Sequence, residues 1–210
     1  HVGITYDGSG FNTATDYTAG VNGSSVPVPS AGALASSDNT TYIGRMRYNA
    51  GASNAYWNGK LDDFRLYNRQ LSSDEISQLY RLTAPTGTDT DLKGYWSFNG
   101  KDVSGTTAYD RSGVGNTGTL TGGPTVTPGK IGQALLFDGV DDYVTIGDPA
   151  SLRFGAESFS VSTWFKTTAT SFGYMLGDYA VNPTIIGLGV NNTGHSGKAM
   201  FFLRDTAVSQ

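Results

Sequence analysis

Hard oxygen donors are the main chemical resource of this 210-residue chain, which contains no cysteine and therefore no thiolate metal site, disulfide or cysteine nucleophile. Asp110 and Asn116 bracket a Gly-rich stretch, Asp62 and Asp63 sit in an alternating run, and Asp138, Asp141 and Asp142 surround a tight turn. Carboxylate and amide oxygens of this kind suit calcium, which takes about six to eight oxygen ligands. Each group also has a structural use. Asp110 and Asn116 can cap turns, Asp62 or Asp63 can pair with Arg65 or Lys60, and Asp is favoured in a turn such as 138–142 for its own sake. A second kind of chemistry is sugar recognition, which pairs aromatic rings with polar groups that fix hydroxyls. Asp178, Tyr179 and Asn182 in a stretch before Thr184 fit that description, as do Tyr48 and Trp57 if turns leave them exposed. Trp96 and Trp164 lie within alternating runs and read as core. His1 and His195 have no catalytic neighbour in sequence.

The elements that must position these residues are strands. With 29 Gly, 12 Tyr, 10 Phe and 15% charged residues, the composition favours short strands and tight turns over helices. Asn22-Gly23 and Asn58-Gly59 are hairpin signals, because both residue types tolerate positive φ. Runs at 1–10, which ends in a Gly-rich turn, and at 16–21, 41–48, 60–67, 94–98, 134–138, 142–146, 159–165, 172–176, 184–190 and 199–203 read as strands at sandwich spacing. Simple alternation in 60–67 puts Leu61, Asp63, Arg65 and Tyr67 on one face and Asp62, Phe64 and Leu66 on the other. The spacing predicts one helix over Ser72–Tyr80, with Ser72 and Glu75 forming a capping box and Ile76, Leu79 and Tyr80 sharing a face. Residues 81–92 read as a linker.

Several segments resemble the laminin G-like jelly rolls of the concanavalin A-like lectin and glucanase group. Tyr95-Trp-Ser-Phe98 with Asp110-Arg-Ser-Gly-Val-Gly-Asn-Thr-Gly-Thr-Leu120 resembles the first strand and loop. Gly132-Gln-Ala-Leu-Leu-Phe-Asp-Gly-Val-Asp-Asp-Tyr-Val144 resembles the next hairpin, and Phe159–Phe165 the strand after it. His1–Gly8 is similar to a mid-domain strand, and Gly59–Leu71 to the closing strand and exit turn. The resemblance implies an all-β antiparallel sandwich, circularly permuted, with residues 1–80 as its second half and 93–210 as its first. It also implies a structural calcium between the Asp110–Asn116 loop and Asp62 or Asp63, alternation leaving open which of the two faces the ion.

No enzyme is expected. The glucanases of this group use Glu-x-Asp-x-x-Glu, whereas the only glutamates here are Glu75 and Glu157. No Gly-x-Ser-x-Gly or His-Glu-x-x-His is present either. A net charge of −4 without a basic stripe argues against nucleic acid, and no apolar run reaches membrane-spanning length. The expected role is an extracellular or cell-surface lectin-like module that binds a glycan or surface polysaccharide. The alternative is a subunit from a tandem-repeat surface protein that pairs head-to-tail with neighbouring copies of itself in a fibre or layer. Sequons at Asn22, Asn39 and Asn191 suit an extracellular setting.

Overall fold

A computed structural model describes residues 1–7, 17–22, 24–28, 40–48, 53–81, 89–154, 157–179, 184–190 and 199–205. The strands are β1 (Val2–Tyr6), β2 (Tyr17–Val21), β3 (Ser24–Val28), β4 (Thr40–Ile43), β5 (Arg45–Tyr48), β6 (Ser53–Tyr56) and β7 (Asn58–Tyr67). Helix α1 (Ser73–Tyr80) precedes β8 (Leu92–Trp96), β9 (Val103–Ser104), β10 (Thr107–Ala108), β11 (Gly118–Thr121), β12 (Thr125–Pro128), β13 (Gln133–Asp138) and β14 (Tyr143–Gly147). The chain continues with β15 (Phe159–Lys166), β16 (Gly173–Tyr179), β17 (Thr184–Val190) and β18 (Ala199–Asp205).

Two antiparallel sheets form a sandwich. One runs β12-β13-β7-β15-β1-β2-β3, with β8 following β13 along the same side of β7; the other runs β18-β17-β16-β4-β14-β11-β10-β9. Ile4, Phe64, Leu66 and Val161 from the first sheet share one core with Ile43, Leu120, Val144, Leu176 and Leu188 from the second. Strands from before and after α1 interleave in both sheets. β7 lies between β15 and the β13/β8 pair, and β4 lies between β14 and β16.

Two departures from simple alternation have local causes. The run read as one strand over 41–48 breaks at Gly44, where φ is +83°. A Cβ there would stand 2.6 Å from the Phe137 ring, so the backbone bends where only glycine clears the core. In β7 the pairing with β15 skips a residue, Ser162 facing Arg65 and Trp164 facing Asp62, while Asp63 takes φ +55°. This β-bulge shifts the phase of the strand, so that Leu61, Phe64 and Leu66 all reach the core, correcting the two-face assignment.

Helix α1 begins as the sequence implies. Ser72 Oγ accepts from Glu75 N at 3.2 Å, and Ser72 N donates to Glu75 Oε2 at 2.8 Å. Its buried face, Ile76 and Leu79, packs with Tyr67, Leu71 and Leu92 on the outer side of the first sheet. Burying each such side chain contributes about 1.5–3 kcal/mol. Gly20, paired with Gly3 across β1 and β2, leaves room for it, since a Cβ on Gly20 would come within 2.6 Å of Ile76.

Candidate functional site

Asp110, expected to hold calcium with Asn116 and Asp62 or Asp63, is ringed by hydrogen-bond donors. Its Oδ1 accepts from Tyr95 N at 2.9 Å and Ser112 N at 2.8 Å. Its Oδ2 accepts from Ser112 Oγ at 2.7 Å, Gly115 N at 3.1 Å and Asn116 N at 2.8 Å. Five donors use the lone pairs a cation would need. The Asn116 amide donates to Lys93 O at 2.7 Å and to Ser151 Oγ at 2.8 Å, and its backbone carbonyl accepts from Trp96 Nε1 at 3.0 Å. The loop thus clamps β8 to its neighbours. Asp63 pairs with Arg65 at 2.8 Å, and Asp62 faces another way.

Among the described residues, Asp138, Asp141 and Asp142 are the one group of three carboxylates whose oxygens lie within 4.8 Å of one another. Asp138 Oδ1 accepts from Val140 N at 2.8 Å and Asp142 Oδ2 from Asp138 N at 2.9 Å. Burial, and then the charges of Asp138 and Asp141, push the Asp142 carboxyl above its ordinary range. Crowded carboxylates with oxygens to spare fit a hard cation better than Asp110 does.

Of the residues expected to contact sugar, Trp57 is buried, and Tyr48, Asp178 and Tyr179 lie in strands. Trp57, read as exposed at a turn, is 1% exposed, with its ring against Phe165 at 5.8 Å. Asp178 and Tyr179 end strand β16 instead of lying in a loop, their backbones paired with Thr41 and Thr40. Tyr48 ends β5 opposite Ser53. Asn182 and His195 lie outside the described residues, as do the sequons at Asn39 and Asn191.

A different site stands on the outer face of the first sheet, a pocket of about 410 Å³ bounded by Lys60, Asp62, Pro128–Lys130, Trp164, Lys166 and His1. The bulge in β7 creates it by turning Asp62 toward the β12–β13 turn. There one carboxylate oxygen, Oδ2, accepts from both Lys130 N and Ile131 N at 2.7 Å. Asp62 is 3% exposed, and its other oxygen, Oδ1, has no hydrogen-bond partner. Burial raises the carboxyl to about 6, against the opposing pull of the Ile131 and Lys130 amides. Gly129 permits the approach, because a Cβ there would meet Asp62 Oδ2 at 2.5 Å.

Trp164 forms the aromatic wall. It stacks on Tyr80 at the end of α1, with ring centroids 5.5 Å apart and planes at 23°, and Lys130 Nζ lies 5.1 Å from its ring centroid. Its Nε1 is buried without an acceptor. The His1 ring stands 5.1 Å away, anchored to Ser162 Oγ at 2.8 Å. The reading of Trp164 as core is corrected here: Phe159 and Val161 point inward, so Ser160, Ser162 and Trp164 share the outward parity of β15.

Residues 1–77, which carry β1 to β7 and the first part of α1, match the concanavalin A-like lectin/glucanases superfamily. The two antiparallel sheets are consistent with that superfamily's β-sandwich. Nothing among curated proteins or solved structures matches the chain. The Asp62 pocket straddles the matched segment and the strands beyond it, since Lys60 and Asp62 come from β7 and Trp164 and Lys166 from β15. Among the described residues no helix is long and apolar enough to cross a membrane.

Proposed function

We propose that this chain is a non-enzymatic, carbohydrate-binding module acting outside the cell, and that the pocket over Asp62 and Trp164 is its sugar site. The observation that carries the reading is the buried Asp62 Oδ1 without a partner, in a pocket walled by an indole. A buried acceptor left unpaired costs about 1–3 kcal/mol, and a sugar hydroxyl supplies the missing donor once a small side-chain shift uncovers Oδ1, which is fully buried here. The superfamily name includes both lectins and glucanases. A binding role is favoured over hydrolysis because Glu75, one of the two glutamates, caps α1 and pairs with Arg69 at 2.7 Å, and Asp63 is held by Arg65. The head-to-tail assembly reading is less favoured, because β7 pairs with β8, β13 and β15 of its own chain.

The test is a glycan-array screen followed by calorimetry of the strongest ligand with Trp164→Ala. The expected result is an affinity loss of about tenfold or more with the circular dichroism spectrum unchanged, in keeping with an aromatic anchor. Unaltered affinity would remove the pocket from the reading.

The superfamily's structural calcium belongs in the same proposal, assigned to Asp138, Asp141 and Asp142. At about 10 mM calcium, a site of the millimolar strength common in extracellular modules raises Tm by about 3–10 °C. Asp142→Asn abolishes that rise; an equal rise in the variant would place any calcium elsewhere.

A further inference from the structure

The charge around the Asp62 pocket is opposite to that of the chain. The protein carries −4 overall and has six lysines, yet three of them, Lys60, Lys130 and Lys166, line this one pocket. They reach it from three directions: β7, the β12–β13 turn and the end of β15. None of the three ammoniums has a carboxylate partner among the described residues. Lys60 Nζ is spent on Pro128 O at 3.0 Å, which fixes it at the rim, and Lys130 is held over the Trp164 ring.

Among the described residues that line the pocket the one counter-charge is Asp62, whose Oδ2 is already tied to two backbone amides. A neutral sugar would satisfy Asp62 Oδ1 and leave three cations unanswered. A sugar with an anionic substituent answers both, its hydroxyls reaching Asp62 and its anion the ammonium groups. Charge-assisted hydrogen bonds of that kind are about twice as strong as neutral ones.

Building on the carbohydrate reading above, we propose that the ligand is an acidic polysaccharide, its sugar units bearing carboxylate or sulfate groups, seated with the anion against Lys130 and Lys166 and a hydroxyl on Asp62. Affinity then falls as salt rises, because these ammoniums stand near solvent, where screening operates.

The experiment titrates the folded chain with polygalacturonate, dextran sulfate, fully methyl-esterified polygalacturonate and unmodified dextran at low and high salt. The Lys130→Ala/Lys166→Ala double variant is run alongside, with Lys93→Ala/Lys101→Ala as a charge-matched control outside the pocket. The expected result is binding to at least one of the two anionic polymers, weakened about tenfold or more by the pocket pair and little by the control pair. Preference for polygalacturonate identifies a carboxylate ligand, and preference for dextran sulfate a sulfate ester. Loss of equal size in both double variants would mean diffuse attraction and overturn the assignment. Binding to a neutral polymer with no gain from charge would overturn the acidic-sugar inference and leave the carbohydrate reading standing. Binding to none of the four, with the glycan array also blank, would overturn both.

Discussion

Expressed separately, residues 1–81 and residues 89–210 each fail to give a cooperative unfolding transition, and mixing them restores one. The expectation follows from how the sheets interleave. In the first sheet β15 separates β7 from β1, so β7 and the β1–β3 group, all from before α1, reach each other only through a strand from after it. In the second sheet β4 is flanked by β14 and β16, both late in the chain. Removing either part strips hydrogen-bond partners from both edges of β7 or of β15, and opens a core that draws Ile4, Phe64 and Leu66 from one part and Val144, Val161 and Leu176 from the other. Unpaired backbone groups and exposed core of that extent far exceed the roughly 5–15 kcal/mol that holds a domain folded. Near-UV circular dichroism and thermal denaturation of each fragment, then of an equimolar mixture, provide the check. Cooperative melting of either fragment alone would show that it closes its own core, and the permuted single-domain organisation would have to be given up.

Much of this architecture was legible in the residues. Asn22 at the β2–β3 turn takes φ +50°, as an Asn-Gly hairpin requires, and the Ser72/Glu75 capping box starts α1 where the spacing says. The site was harder to read, for two physical reasons. Asp62 is aimed by a bulge, and a bulge changes the parity of a strand without an obvious sequence mark. A trace of it was present, because apolar residues at 61, 64 and 66 cannot share one face of a regular strand. Trp164 reads as core from its place in an alternating run, although its parity with Ser160 and Ser162 puts it on the outer face. Lys130 offered no local signal at all, since it meets Asp62 only because β13 pairs with β7 across a long sequence separation. The Asp110 loop shows the converse case: its residue pattern suggests an ion, whereas the geometry fills every lone pair with backbone and hydroxyl donors.

Asp62→Asn is expected to make the protein more stable at neutral pH. Burial raises the Asp62 carboxyl to about 6, so the folded state holds this proton more tightly than the unfolded chain, in which the carboxyl titrates near 3.8. Below about pH 4 both states are protonated and the residue carries no penalty. As pH rises from about 4 to 6 the unfolded chain releases its proton first and stability falls; above about 6 the loss is constant, about 1–3 kcal/mol. Asparagine keeps an oxygen for the Lys130 and Ile131 amides but has no charge to desolvate. Chemical denaturation should therefore show the variant ahead by about 1–2 kcal/mol at pH 7.5, with the gap closing toward pH 4. A gap independent of pH would mean that the charge of Asp62 is not what its burial costs. The ligand experiences the same proton. The groups facing Asp62 are Lys60, Lys130 and Lys166 from three elements, the His1 ring, and Asp63 beside it in β7. Neutralising Asp62 leaves the lysine charges less opposed, so polygalacturonate binding to the unaltered protein strengthens from pH 7.5 to 5.5 more than it does in Asp62→Asn, which lacks that proton. A carboxylate that weakens the fold at neutral pH and tempers an otherwise cationic pocket is costly as structure, which is the physical reason for assigning it to recognition.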